Sequence, residues 1–330
     1  MQHSTLKKLS EALGISISTV SRALKNHPDI AESTKKRVKE LAAALEYEPN
    51  TYAVQLRTRQ SNVLGILVPL IDNFFYDSFI AAVEEEARQH GYSVMIIQSR
   101  DKADIEATNL QLFRKNMVMG VFASVSIETE DMSPFRKMEE LKVPVVFFDR
   151  VPPSGDYNKV CQSDAKAAGI AAEAIVQKKR KHILALFGHP HLSISQVRCE
   201  AFTETIRQLA PDTQLTIRYP ENIEPSCAVV QEFFAGDNKP DVIFCMGDLI
   251  LIGVMRAIHA LKLKVPDDIA VIGISNGLIP TMYDPKITYV ETSGFKLGKL
   301  AFSRMLHCLR EGPETGTVML ESVLVEGGSL

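Results

Sequence analysis

Residues 5–26 read TLKKLSEALGISISTVSRALKN. Leu6, Leu9 and Leu13 recur at i, i+3 and i+7, the period of one helix face. Gly14 breaks that pattern, and Ser16 stands where the N-cap of a new helix belongs. A second helix is expected from Ile17 to Lys25. Turning it by about 100° per residue puts Val20, Ala23 and Leu24 on one side, with Ile17 at the edge. Ser18, Ser21, Arg22 and Lys25 fall opposite. A face made of hydroxyls and cations is either a solvated surface or a set of donors for phosphates and base edges.

The neighbouring residues bear on that choice. His27-Pro28-Asp29 reads as a loop, and Val38, Leu41, Ala42 and Leu45 mark a third helix that Pro49 ends. Helix, glycine turn, helix and bracing helix is the order of a helix-turn-helix, whose second helix enters the major groove by its N-terminal residues. There Ile17 would meet a thymine methyl, Ser18 a base edge and Arg22 a guanine bidentately. Charge agrees. Residues 1–60 hold ten Lys/Arg against six Asp/Glu, a net +4 in a chain of net −3, so the remainder carries −7. A basic head on an acidic body fits a polyanion partner for the head alone.

The chain has 330 residues, more than one typical core accommodates, so two or three domains are expected. Apolar residues make up 45% and charged residues 23%, a globular balance that excludes a disordered or fibrous chain. No apolar run is long enough to span a bilayer. The opening MQHSTLKKLSEALG has neither an apolar core nor a small-residue cleavage site, so a cytoplasmic protein is expected. Cysteines 161, 199, 227, 245 and 308 show no CxxC pairing and are expected to be buried thiols in a reducing compartment.

From Val63 onward, short apolar runs alternate with amphipathic helices: VLGILVP, SVMIIQS, VMGVFAS and VPVVFFD, then HILALFG, DVIFCMG and IAVIGIS. The segments Phe79–His90 and Leu249–Leu261 are helical by period. Strands apolar on both faces and separated by helices imply doubly wound parallel sheets. The stretch DRVPPSGDYNKV divides the strands into two sets, hence an α/β body of two subdomains.

The segments TLKKLSEALGISISTVSRALKN and YEPNTYAVQLRTRQSNVLGILVP resemble the lactose-repressor (LacI/GalR) family of transcriptional regulators over essentially the whole chain. The likeness is carried by Thr5-Leu6, Leu13-Gly14-Ile15-Ser16, Thr19-Val20-Ser21-Arg22 and Tyr47-Glu48-Pro49-Asn50. Lys8 and Ser10 depart from it, standing where an acidic residue and alanine are usual. The resemblance implies an N-terminal three-helix headpiece with a hinge helix near 50–58, then two subdomains of the periplasmic-binding-protein type. Their expected bounds are 1–60 for the head, 61–160 with 291–322, and 161–290 with 323–330. It implies a homodimer on a near-palindromic operator, each head reading one half-site. Expected DNA-binding residues are Thr5, Leu6, Ser16, Ile17, Ser18, Thr19, Ser21, Arg22, Asn26, Tyr47 and Asn50. In the hinge, Ala53 and Leu56 match the family's minor-groove wedge, although Leu56 packing on the body is an alternative.

For the body, the resemblance implies a small-molecule effector, a sugar or derivative, held beyond the C-terminal strand ends. Asn73, Phe74, Ser99, Ser124, Asp149, His189, Arg198, Asp248 and Asn276 are the expected contacts. Arg198 matches the family's effector arginine, unless it is a plain surface cation. Asn276 stands where aspartate is usual. Phe74 is split between ligand and core, and Phe75 is assigned mainly to core. Gly247 replaces a side chain common at that place, and His189 and His191 offer other polar contacts. No third ligand accompanies that histidine pair at metal-site spacing, and neither metal nor cofactor is expected. The ending LVEGGSL has no heptad, which favours a dimer over a coiled-coil tetramer.

Two other readings fit parts of the sequence. Gly273-Ile-Ser-Asn-Gly277 matches the G-x-S-x-G elbow of α/β hydrolases, with Asp284 and His307 following in order. Such an elbow must run into a helix, which Pro280 and Pro285 prevent. A sugar receptor without DNA function would leave the basic head unexplained. The reading is therefore a ligand-responsive transcriptional regulator, expected to be a repressor and not an enzyme.

Overall fold

The structure is a computed structural model, and it describes residues 5–45, 47, 61–152 and 155–330. The chain forms two compact units, Met1–Ser61 and Asn62–Leu330.

In the first unit, α1 (Leu6–Leu13), α2 (Ile17–Leu24) and α3 (Glu32–Ala44) enclose a small core. Leu9, Val20, Ala23, Val38 and Ala42 are its buried members, with Leu6, Leu24, Leu41 and Tyr47 packed around them. Thr5 caps α1 by accepting from the Lys8 amide at 3.3 Å, and Ser16 caps α2 by accepting from Thr19 at 3.1 Å. Gly14 turns the chain at φ 64°, a left-handed conformation that glycine adopts without a Cβ penalty. The hydroxyl of Ser10 donates to the Ile15 carbonyl at 2.6 Å, so this departure from the family pattern ties down the turn. The second helix, expected to include Lys25, has that residue as its C-cap, and the third ends at Ala44 with Leu45 as its C-cap. The hinge residues Asn50, Ala53 and Leu56 lie outside the described residues.

The second unit holds two six-stranded sheets. The first contains β1 (Val63–Val68), β2 (Ser93–Gln98), β3 (Gly120–Ala123), β4 (Val145–Phe148), β5 (Asn158–Gln162) and β11 (Gly316–Leu320). Their order is β11-β5-β4-β3-β1-β2, all parallel. The second contains β6 (His182–Leu186), β7 (Gln214–Arg218), β8 (Val242–Cys245), β9 (Ala270–Ser275), β10 (Thr288–Glu291) and β12 (Val323–Val325). Its order is β12-β10-β9-β8-β6-β7, parallel except for the β10–β12 pair. The chain crosses between sheets after β5, after β10 and again before β12. DRVPPSGDYNKV, expected only to separate the two strand sets, supplies the start of β5.

Helices cover the sheets as the apolar strands require. α4 (Phe74–Gln89), α5 (Ala103–Lys115), α6 (Ser133–Glu140) and α11 (Gly294–Glu311) serve the first. α7 (Asp164–Gln177), α8 (Ser193–Leu209), α9 (Ile223–Ala235) and α10 (Asp248–Ala260) serve the second. α4 begins five residues before the expected Phe79, because Asn73 caps it by accepting from the Phe75 amide at 2.9 Å. α4 and α11 approach closely: a Cβ at Gly298 would stand 2.7 Å from the Phe79 carbonyl. Of the five free cysteines, four are buried, but Cys199 is only half-buried, which corrects the expectation for that residue.

Candidate functional site

The head presents its polar face through α2. Val20 and Ala23 are fully buried, whereas Ser18, Arg22 and Asn26 are exposed and Ile17 is 46% exposed. An exposed isoleucine at the first turn of a capped helix, with exposed Ser18 and Arg22 on the same short element, is compatible with insertion into a groove. Thr19 and Ser21 are half-buried at the edges of that face. Ser16 Oγ lies 2.7 Å from Ser18 Oγ and 2.8 Å from Thr19 Oγ1, so these hydroxyls form one cluster. Asn26 adopts φ 54° where α2 ends. Leu6 and Tyr47 rest partly on the head core, and burial raises the Tyr47 phenol above its ordinary pKa.

In the second unit, a cavity of about 540 Å³ opens between the C-terminal ends of the two sheets. Seven of the nine expected effector residues line it: Asn73, Phe74, Asp149, His189, Arg198, Asp248 and Asn276. Ser99 and Ser124 do not. Both are fully buried. Ser124 instead supports Tyr76. The Tyr76 hydroxyl donates to Asp149 Oδ2 at 2.6 Å, so its 3.0 Å bond with Ser124 must have the serine as donor.

Asp149 sits at φ 56°, a left-handed conformation that aspartate tolerates better than most residues. Burial raises its carboxyl pKa, and the Tyr76 hydrogen bond and the Arg150 charge only partly offset this. Asp248, at the start of α10, is raised by burial as well. It accepts from the Ser275 hydroxyl and from the Asn276 amide at 3.2 Å. Both guanidiniums of the cavity are held by carboxylates. Arg150 grips Asp101 with 2.8 Å contacts to each oxygen, and Asp101 also accepts from the Ile127 amide at 2.8 Å. Arg198, 7% exposed, donates to Asp164 at 2.8 Å and to the Met246 carbonyl at 3.0 Å. It is therefore no surface cation.

Asn276 has structural work as well. Its Oδ1 accepts from Gly294 at 2.9 Å and from the Ser78 hydroxyl at 3.2 Å, and its Nδ2 donates to the Phe74 carbonyl at 3.1 Å. Phe74 packs on the core of the second sheet and Phe75 on that of the first, although both touch the cavity. Sequence reasoning missed Tyr76, Asp101, Glu221 and Asn222. Tyr76 was in reach, two residues beyond Phe74. Glu221 and Asn222 follow β7, which had not been read as a strand. Asp164, the partner of Arg198, is 34 residues from it, with no local signal.

The hydrolase elbow is absent. Ser275 donates to Asp248, Gly277 turns at φ 102°, and only a 3-10 turn, Ile279–Met282, follows. His307, on α11, pairs instead with Glu314 beyond the end of that helix. Among the described residues, no group of three His, Cys, Asp or Glu could hold a metal, and no helix is long and apolar enough to cross a membrane.

A helix-turn-helix in a basic head, carried on a body with a cavity between two mostly parallel sheets, is the build of a DNA-binding regulator. Residues 5–50 match the family described as bacterial regulatory proteins, lacI family, and residues 172–330 match a periplasmic binding protein-like domain. The ribose operon repressor of Bacillus subtilis is 28% identical, covering 96% of this chain and 94% of that protein. The HTH-type transcriptional repressor PurR of Vibrio campbellii is 23% identical, covering 93% and 92%. The fold is shared with a crystal structure of the lac repressor dimer bound to operator and the anti-inducer ONPF, at TM-score 0.90, 22% identity and 99% coverage of both chains. The chain thus joins a lacI-family DNA-binding domain to a periplasmic binding protein-like domain, the make-up of a DNA-binding transcriptional regulator.

Proposed function

We propose that the chain acts as a homodimeric repressor whose affinity for a near-palindromic operator is set by a sugar or sugar-like effector in the cavity. The observation that carries this reading is α2, with Val20 and Ala23 sealed in the core and Ile17, Ser18 and Arg22 turned outward. The two-fold assembly is supported by the similar lac repressor, a dimer on its operator. The effector class is supported by a cavity whose aspartates offer acceptors to hydroxyls beside the ring of Phe74. The cytoplasm is the natural compartment for such a regulator. Thr5, Ser16, Ser21, Tyr47 and Asn50 would fix register on phosphates, and Ala53 and Leu56 would reach the minor groove. The expected subdomain bounds, 61–160 with 291–322 and 161–290 with 323–330, are retained in this reading.

Effector changes operator affinity only by the difference in its own affinity for two states of the body. Selection of duplexes from a random pool, then fluorescence anisotropy over a salt series, tests the proposal. A specific duplex bound with a steep negative salt slope, and an affinity that moves with a polyol, is the expected result. Absence of salt-sensitive binding to every duplex would overturn it.

A further inference from the structure

Gly247 lines the cavity at φ −168° and ψ 173°, extended backbone that any residue adopts. A Cβ there would meet nothing within 4 Å. Neither backbone conformation nor packing calls for glycine, so its effect is to leave this part of the cavity open. Sheet order shows where the opening leads. The strand ends run β9, β8, β6, β7, carrying Ser275, Gly247, His189 and then Glu221 with Asn222. Three inter-strand steps make a floor about 14 Å long, more than one sugar ring covers. At the far end His189 Nε2 lies 3.7 Å from Glu221 Oε1, a polar pair facing the cavity beyond the glycine.

Charge narrows the ligand further. Four carboxylates, Asp101, Asp149, Glu221 and Asp248, line the cavity against two guanidiniums. Arg150 is committed to Asp101 and Arg198 to Asp164. A phosphate would have to break one of these pairs or lie beside surplus negative charge with its hydration removed.

Resting on the effector reading above, we propose that the site takes an uncharged glycoside of two rings. The first ring lies between Asp149 and Asp248, and the second occupies the space over Gly247 toward His189 and Glu221. The free hydroxyls donate to the carboxylates, and no anionic group is accommodated.

Calorimetric titration of the full chain tests this with glucose, ribose, their terminal phosphates, cellobiose and maltose. One of the disaccharides should bind most tightly, and the phosphates should not bind. Gly247→Leu should weaken that disaccharide by about tenfold or more while changing a monosaccharide by about threefold at most, since one filled subsite discriminates on that scale. Gly247→Ala, with room for its methyl, should fall between; the melting temperature of each free variant reports whether it is folded. A phosphate binding more tightly than its parent sugar would overturn the proposal. So would a folded Gly247→Leu that loses mono- and disaccharide equally, or a panel without any binder. None of these outcomes touches operator binding, whose failure is read separately by the salt series.

Discussion

Asn276 Nδ2 donates to the Phe74 carbonyl at 3.1 Å, a direct hydrogen bond from the loop after β9 in one sheet to the first turn of α4 on the other. The same side chain accepts from Gly294 at the start of α11, so one amide ties three segments beside the ligand cavity. Asn276→Asp would restore the residue usual in the family, and a carboxylate keeps the acceptor role toward Gly294 and Ser78. It cannot donate, and it faces the Phe74 carbonyl with negative charge. The loss should be about 1–2 kcal/mol, the worth of one hydrogen bond together with an unsatisfied partner. Asn276→Ala should cost more, since Gly294 then loses its acceptor. Urea unfolding of the body reads both, and an aspartate variant as stable as the parent would refute this role.

Arg198 and Asp164 form a different kind of tie, within the second sheet's own layer. Their side chains are 8% and 14% exposed. Removing one partner strands a buried charge, which typically costs about 3–5 kcal/mol, whereas replacing both with apolar groups is far less damaging. Arg198→Met should therefore destabilise the chain severely, and Arg198→Met with Asp164→Leu should recover most of the loss. A double-mutant cycle by chemical denaturation checks this, and additive losses would show that the pair is not coupled. The double variant should still bind effector poorly, because the arginine also lines the cavity.

In the head, capping and reading are separable. Ser16→Ala removes the acceptor of the Thr19 amide and should lower head stability by about 1 kcal/mol. Arg22→Ala leaves the core untouched, because Arg22 is exposed. If it reads guanine, discrimination between operators that differ at one base pair should fall by about 1–3 kcal/mol. Equal weakening on all duplexes would assign Arg22 to phosphate instead.

How far the sequence could be read follows from the length and purity of each apolar run: β5 and β10 are buried, yet NKVCQ and TYVE are too short and mixed to announce a strand. VLGILV and IAVIGIS become central strands sealed on both faces, so their apolar runs announce them. Edge strands β7 and β11 are half exposed, as in QLTIR, where polar ends dilute the pattern. Missing β7 also concealed Glu221 and Asn222. The rule that ligands meet C-terminal strand ends located Asp149, Asp248 and Asn276, yet it misplaced Ser99 and Ser124. It names the end of a strand without saying which face a side chain takes, and successive residues point to opposite faces. The Arg198–Asp164 and Tyr76–Asp149 contacts join distant segments, and nothing local in the chain encodes them.

Asp149 and Asp248 make the free protein's stability respond to pH in a definite direction. Burial raises both carboxyls above the ordinary aspartate value of 3.8, partly offset at Asp149 by Tyr76, Arg150 and Arg198 and reinforced by Asp164. A raised carboxyl binds its proton more readily in the folded state. Its contribution to stability is fully present below 3.8 and is lost as pH climbs through the raised value. Asp149→Asn keeps an acceptor for the Tyr76 hydroxyl without the buried charge. Its melting temperature should exceed the parent's at neutral pH, with the gap closing as pH falls toward about 4. Ligand binding should run the opposite way. An ionised carboxylate is the stronger acceptor for hydroxyl donors, so polyol affinity of the parent should rise with pH through that window, while the asparagine variant binds more weakly and with a shallower rise, because Asp248 still titrates. Melting curves and titrations in a constant-ionic-strength buffer series read both trends. A gap that stays level from acid to neutral pH would mean that Asp149 carries no burial penalty.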